Sequence, residues 1–271
     1  MPSEPRLQQI TIYDDGASPA LDAAGVGDYL AATTGCRRVA VRGSLLAADA
    51  GALPDLARRL ARLKVRDPAS PPAEAEPAPA EVAFERRRLE NEDRGPFGVL
   101  YDGLGLQALL GELLPPDQRR LDHVHIAFTN RTIGTWDHDD LRYHLRTIIL
   151  GLPALTSTTG LVEAPAKPRE FYLARQRLSL TTRPELAHAL LMEQFRDQVL
   201  DHDDPRLTEI AKGYAMQAIV YQLTGEPFCP DPDCRLYNAH WQRELLRAQL
   251  GGPPEYCPRH QAVLDALRGG R

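Results

Sequence analysis

Lysine is nearly missing from this chain: Lys64, Lys167 and Lys212 are the only three in 271 residues, and arginine carries the rest of the positive charge. With 32 basic against 37 acidic side chains, the formal net charge is -5 and the sequence pI is near 5.9. That balance gives no overall field to draw in nucleic acid or an anionic membrane, so no nucleic-acid partner is expected; such binding would need a local basic patch. Long apolar runs are also lacking. No segment approaches the ~20 apolar residues that span a bilayer, and the opening MPSEPRLQQI has no apolar run of signal-peptide length, so no membrane association and a cytoplasmic location are expected. Cysteine is scarce at four, and three of the four cluster beside a histidine, which points to cytoplasmic zinc and away from a secreted disulfide scaffold. The fourth, Cys36, reads as a small buried thiol. Gly103 and Gly105 lack the strand-to-helix turn and third glycine of a dinucleotide fingerprint, and no internal repeat is present.

The clearest signal is near the C-terminus. Cys229 and Cys234 bracket Pro-Asp-Pro-Asp, whose prolines pre-bend the loop so that both sulfurs can face one point, and a helix-length interval separates them from Cys257 and His260. Three thiolates and one imidazole can surround a zinc ion tetrahedrally with no open coordination position, the arrangement of a structural site. The reading is one structural Zn2+ per chain, held by Cys229, Cys234, Cys257 and His260.

Upstream, hydrophobic patterning gives a β-α-β-α opening over residues 1–65: a strand at 8–13, a short helix through Leu21, Val26 and Leu30, an alternating strand at 38–42 and a helix from Leu53 to Leu63. Residues 66–84 turn into Pro, Ala and Glu without hydrophobic period, a linker or surface excursion. The charged run 85–94 reads as a solvated face. A helix is expected at 103–114, a strand at 123–129, a helix capped by Asp139 or Asp140 running through 141–150, and a strand at 157–162. Asp204 and Pro205 open a long helix ending near Gly225, and Asn238 caps a last helix at 241–250.

Around the cysteines the sequence resembles the archaemetzincins, a zincin family of metallopeptidases in which a cysteine-rich structural zinc site directly follows the zinc-binding helix. With Cys229 as the first cysteine, Gly225 falls on the glycine of the family's His-Glu-x-x-His-x-x-Gly-x-x-His motif, and His260 stands in place of a fourth cysteine. The resemblance implies an α+β, zincin-like mixed sheet over residues 85–271 with the zinc knot at 229–260. It also implies catalytic ligands at Ala218, Gln222 and Phe228 and a general base at Ile219. Ala218 and Phe228 offer no donor atom, and the apolar Ile219 cannot take a proton from a metal-bound water. No histidine occurs between His202 and His240, and no His-Glu-x-x-His occurs anywhere.

Two functions remain open. One is a degenerate, non-catalytic relative of zinc peptidases that keeps its cleft for a peptide or protein partner. The other is a metal-dependent hydrolase with a relocated centre, for which His123, His125, Asp140, His144 and Glu163 are the candidates: the two histidines share one strand face, and Asp140 and His144 share a helix face if 141–150 is helical. Each has an ordinary reading too, as exposed strand histidines, helix-capping aspartates, and a Glu163 paired with Lys167 or Arg169. Residues 163–172, with charges held by two prolines and aromatics at the end, form the kind of rigid polar segment where recognition occurs, Lys167 and Arg169 being placed to meet an anionic group. His188, His202 and His240 read as surface residues.

Overall fold

The computed structural model describes residues 7–269 apart from 48, 73–74 and 92–97; the last part of the charged run 85–94 therefore lies outside the described residues. The chain is a mixed α+β structure with two sheets.

The larger sheet has the order β2-β1-β4-β8-β7, built from β1 (Gln9–Asp14), β2 (Val39–Arg42), β4 (His123–Thr129), β7 (Ile148–Ile149) and β8 (Ala154–Ser157). β1 runs parallel to both β2 and β4, β4 is parallel to β8, and only the short edge strand β7 is antiparallel. Parallel neighbours need crossovers that cover both faces. On one face lie α1 (Ala23–Thr34) and α8 (Leu207–Thr224), which share a core with Ile10, Ile12, Val124, Ile126 and Phe128. On the other lie α2 (Leu53–Arg62) and α4 (Gly103–Leu113), packed on Tyr13, Ala127 and Leu155. All seven residues of β4 are buried, as its central place requires. The first 65 residues thus supply the strand that hydrogen-bonds directly to β4, sharing one sheet with the rest of the chain.

The smaller sheet joins β3 (Leu100–Asp102), β5 (Thr132–Asp137) and β6 (Arg142–Arg146). Here the expected helix through 141–150 is replaced by a hairpin. The Asp137 carboxylate accepts the amides of Asp139 and Asp140, Leu141 takes a left-handed φ of 51°, and Arg-Tyr-His-Leu-Arg then pairs with β5. The turn chemistry and alternation outweigh the aspartate as a helix cap. A second correction follows at 157–162. Ser157 ends β8 and its hydroxyl accepts the Gly160 amide, capping α5 (Thr158–Glu163) where a strand was expected.

Two exposed helices, α6 (Arg169–Thr181) and α7 (Pro184–Phe195), form a hairpin over a small satellite core of Phe171, Leu191, Phe195 and Val199. Most of their surface faces solvent, so neither shows a clear apolar stripe to betray it in the sequence. α3 (Pro79–Glu90) covers the first part of the charged run 85–94. α8 begins at Leu207, after Asp204 and Pro205, and ends at Gly225 with φ 77°, a left-handed position that glycine takes without strain. The helix at 241–250, α9 (Gln242–Leu250), is followed by α10 (Pro258–Gly269), so it is not the last. Among the described residues no helix is long and apolar enough to cross a membrane.

Candidate metal centre and a second polar cleft

Cys229 and Cys234 sit in the loop after α8, Cys257 directly precedes α10 and His260 lies in its first turn. The chain folds back so that one donor atom from each of the four lies within 4.8 Å of the other three. The sulfurs of Cys229 and Cys257 are 3.7 Å apart, the Nδ1 atom of His260 is 3.2 Å from the Cys257 sulfur, and it is 3.6 Å from that of Cys234. A disulfide would bring two sulfurs to about 2.05 Å. With Zn–S bonds of about 2.3 Å and Zn–N of about 2.0 Å, tetrahedral geometry puts sulfurs about 3.8 Å apart and sulfur and nitrogen about 3.5 Å apart. The spacing fits a four-coordinate zinc and leaves no fifth donor.

Protonation chemistry agrees. Burial pushes the Cys234 thiol up to about 12 and raises that of Cys229, so neither gives up its proton readily without a cation. At Cys257 burial acts the same way but is outweighed by the amides of His260 and Arg259 and by the neighbouring thiols, and its pKa falls below the usual value. Cys257, at the start of a helix, is the ligand readiest to ionise.

The loop is braced on three sides. Buried Arg235 is hydrogen-bonded to Glu209 of α8 and, at 3.0 Å, to the carbonyl of Gln249 at the end of α9. Tyr256 meets Tyr29 of α1 at 2.6 Å, and Arg268 of α10 donates to the Thr33 carbonyl at 2.8 Å. Gln249 of α9 and Arg235 crowd α8 at Gly213: a Cβ there would stand 1.7 Å from Oε1 of Gln249 and 2.8 Å from Arg235, so a larger residue would force those side chains to move.

α8 itself carries no metal donor at the four positions marked by the sequence comparison. Ala218 and Ile219 are buried in the core, and Phe228 lies partly exposed just past the helix. Gln222 spends its amide nitrogen on the carbonyls of Leu121 at 2.9 Å and His123 at 3.1 Å, tying α8 to the start of β4.

The five residues proposed for a relocated centre separate into three groups. His123 and His125 are buried on the α2/α4 face of β4, with ring centroids 3.8 Å apart. Thr11 holds His123 at 2.8 Å, while Tyr13 at 3.2 Å and the Gln118 carbonyl at 2.9 Å hold His125. They are therefore not exposed strand histidines, and burial, the neighbouring His125 and Arg42 lower His123 to about 4. His144 pairs with Asp140 at 2.8 Å, across the turn of the β5–β6 hairpin and not on a helix. Glu163 lies at the end of α5. Among the described residues only the three cysteines and His260 form a group of three or more potential donors to a metal.

Glu163 has partners that the sequence did not reveal. Its oxygens lie 3.5 Å from Nε2 of His202 and 3.4 Å from Nζ of Lys167, and these contacts, His202 first, hold the carboxyl at about 2 against the opposing effect of burial. Lys167 also donates to the Val162 carbonyl at 2.7 Å. A second pair, His188 and Asp201 at 3.0 Å, stands nearby. Together these residues line a cleft of about 500 Å³ between α5, α6 and α7, floored by Phe171, Leu191 and Leu200. His188, exposed on α7 as the sequence suggested, and His202, in a turn, thus also line a cleft. The sequence marks only Glu163 and Lys167, because His188 and His202 arrive from segments with no motif of their own. Gln242, the first residue of α9, donates to the carbonyls of Leu161 and Val162 and accepts the amide of Leu200, so the helix that ends beside the knot begins behind this cleft.

A family model described as Probable metallopeptidase family (DUF6775) matches residues 6–267. No curated protein matches the chain. Among solved structures, the crystal structure of a zinc-dependent peptidase from Methanocorpusculum labreanum (strain Z) aligns with a TM-score of 0.39 and 14% identity over 94% of this chain and 99% of that one, a likeness too low to carry an inference.

Proposed function

This chain belongs to that probable metallopeptidase family, and from that premise we propose that it is a non-catalytic, archaemetzincin-like member in which one zinc ion holds the fold together and the Glu163 cleft receives a peptide or protein partner. The observation that carries this reading is the contrast between two parts of one segment: four zinc-type donors gathered after α8, and none at Ala218, Ile219, Gln222 or Phe228, where the archaemetzincin motif would place its ligands and base. A bound zinc would be held by Cys229, Cys234, Cys257 and His260 and would supply charge neutralisation and a rigid cross-link between the α8 loop and α10. With four protein ligands it has no position for water, so no hydroxide nucleophile forms there.

The binding role rests on the cleft. Its apolar floor offers burial to a side chain, and Glu163, Lys167, His188 and Asp201 at its wall offer both charge signs to a backbone or terminus. α9 connects the knot to the back of this cleft through Gln242 and Gln249, so the metal steadies the wall that a partner would press against.

The test has two arms. Purified protein is incubated with casein and with a random peptide library, and the library is also screened for retention. The reading predicts no turnover beyond a Cys229→Ser control, and retained peptides that are lost with Glu163→Gln while circular dichroism still shows a folded chain. Turnover that disappears in His123→Ala or His144→Ala would replace this reading with a relocated catalytic centre.

A further inference from the structure

The larger sheet has a topological switch point. From β1 the chain crosses to β2 on one side, whereas from β4 it continues to β8 on the other, with β1 and β4 parallel neighbours. In such sheets the connections part company at the carboxyl ends of the two central strands and leave a crevice where ligands are bound. Here the residues at those ends are Asp15 after β1 and Thr129, Asn130 and Arg131 at the end of β4.

Arg131 is fully buried in that crevice. Its Nη1 donates to Asp15 at 2.6 Å, but Nη2 and Nε have no hydrogen-bond partner. Nη2 lies 3.8 Å from Oε2 of Glu85 in α3, an ion pair too long for a hydrogen bond, and that oxygen likewise has no hydrogen-bond partner. The other oxygen of Glu85 is held by Lys64 at 2.9 Å and by the Tyr101 hydroxyl at 2.7 Å. A carboxylate has been brought up to a guanidinium fork without closing the two parallel bonds such a fork makes.

The helix that brings it is unusual. In α3 the only buried residues are Glu85 and Arg88. A surface helix ordinarily buries an apolar stripe and exposes its charges; α3 fully buries two charged residues, while its apolar Phe84 and Leu89 are only half-buried, Phe84 under Lys64 and Leu89 against the α2/α4 core. Buried charges return little net docking energy, because their desolvation offsets most of their attraction. α3 is thus held over the crevice by buried charge pairs beside the partial apolar contact of Leu89, and it follows the proline- and alanine-rich excursion.

We propose that the crevice at the carboxyl ends of β1 and β4 is a carboxylate-binding site, that Glu85 is its built-in occupant, and that a ligand bearing a carboxylate enters by displacing α3 and closing both bonds to Arg131. This site is separate from the Glu163 cleft and does not depend on the function proposed for it.

The experiment uses the full chain. In Glu85→Ala the crevice loses its internal carboxylate, and propionate, which supplies a carboxylate in its place, raises the melting temperature saturably, whereas the neutral propionamide does not; adding Arg131→Met abolishes the effect. In the unmodified chain, hydrogen exchange read by mass spectrometry shows the amides of α3 exchanging at least about 100-fold faster than those of β1 and β4, with α3 faster still in the presence of glutarate. Exchange of α3 at the same rate as the sheet, unaffected by glutarate, would overturn the proposal whether or not Glu85→Ala folds. Equal stabilisation of Glu85→Ala by propionate and propionamide would overturn it as well.

Discussion

Two buried polar clusters in this molecule differ in how they are assembled. The cysteine and histidine knot draws its four members from residues 229–260, at spacings that are themselves a chemical signature. The crevice cluster draws Asp15, Glu85 and Arg131 from separate elements, with 116 positions between the Asp15 and Arg131 that form its shortest ion pair. The knot sets one zinc-type donor from each of four residues within 4.8 Å of the others. The crevice is neutralised from within, by a helix that leaves part of its central guanidinium unused. Local spacing can encode a metal site, while a site assembled by topology is invisible until the strands are ordered.

The comparison can be broken at the knot first. Cys229→Ser, or prolonged chelation, should remove cohesion on the order of 10 kcal/mol, the scale of structural zinc sites; the expected outcome is loss of cooperative melting for α9 and α10, followed by circular dichroism and limited proteolysis. Survival of the cooperative transition would mean that the four side chains merely adjoin. At the crevice, Arg131→Met should cost about 3–5 kcal/mol in urea unfolding, because it breaks the buried ion pair with Asp15. A cost near zero would show the cluster to be well hydrated.

Between the two clusters, Gly213→Ala tests whether α9 couples the knot to the rest. The added Cβ meets Gln249 and Arg235, and overpacking at such a position costs about 1–3 kcal/mol. The effect should appear as a lower denaturant midpoint together with weaker zinc retention in a chelator competition.

The most gradual expected effect is on pH dependence. His123 titrates near 4 in the folded chain and near 6.5 when unfolded, so between these values the unfolded chain takes up a proton that the folded one refuses. Stability therefore falls as pH drops from about 6.5 to about 4, by up to about 1.4 kcal/mol per unit. His123→Gln should flatten that limb. Glu163 acts in the next window: held near 2, it contributes stability above its ordinary value of 4.5 that is lost as pH falls toward 2. An unchanged acid limb in His123→Gln would show that another group sets it.

How much of this the sequence carries follows from the same contrast. The strands at 9–14, 39–42 and 123–129 are legible because alternation and turn residues act over a few positions. The knot is legible for the same reason. The stretch 141–150 misleads because an aspartate before an apolar run suits either a helix cap or a hairpin turn, and pairing with β5 decides between them. Glu85 and Arg88 read as a solvated face because one charged helix looks like another until its neighbours are known. Glu163 and Lys167 stand out through their prolines, but the histidines that complete their cleft come from 188 and 202, where no local pattern marks them.

Metal analysis of the purified, chelator-washed chain tests the central claim most directly. The account predicts about one zinc per chain, retained by His123→Ala and His144→Ala and lost together with the fold in Cys229→Ser. A second equivalent of metal that vanishes in His123→Ala or His144→Ala while the fold persists, or a folded Cys229→Ser protein that still carries its zinc, would contradict it.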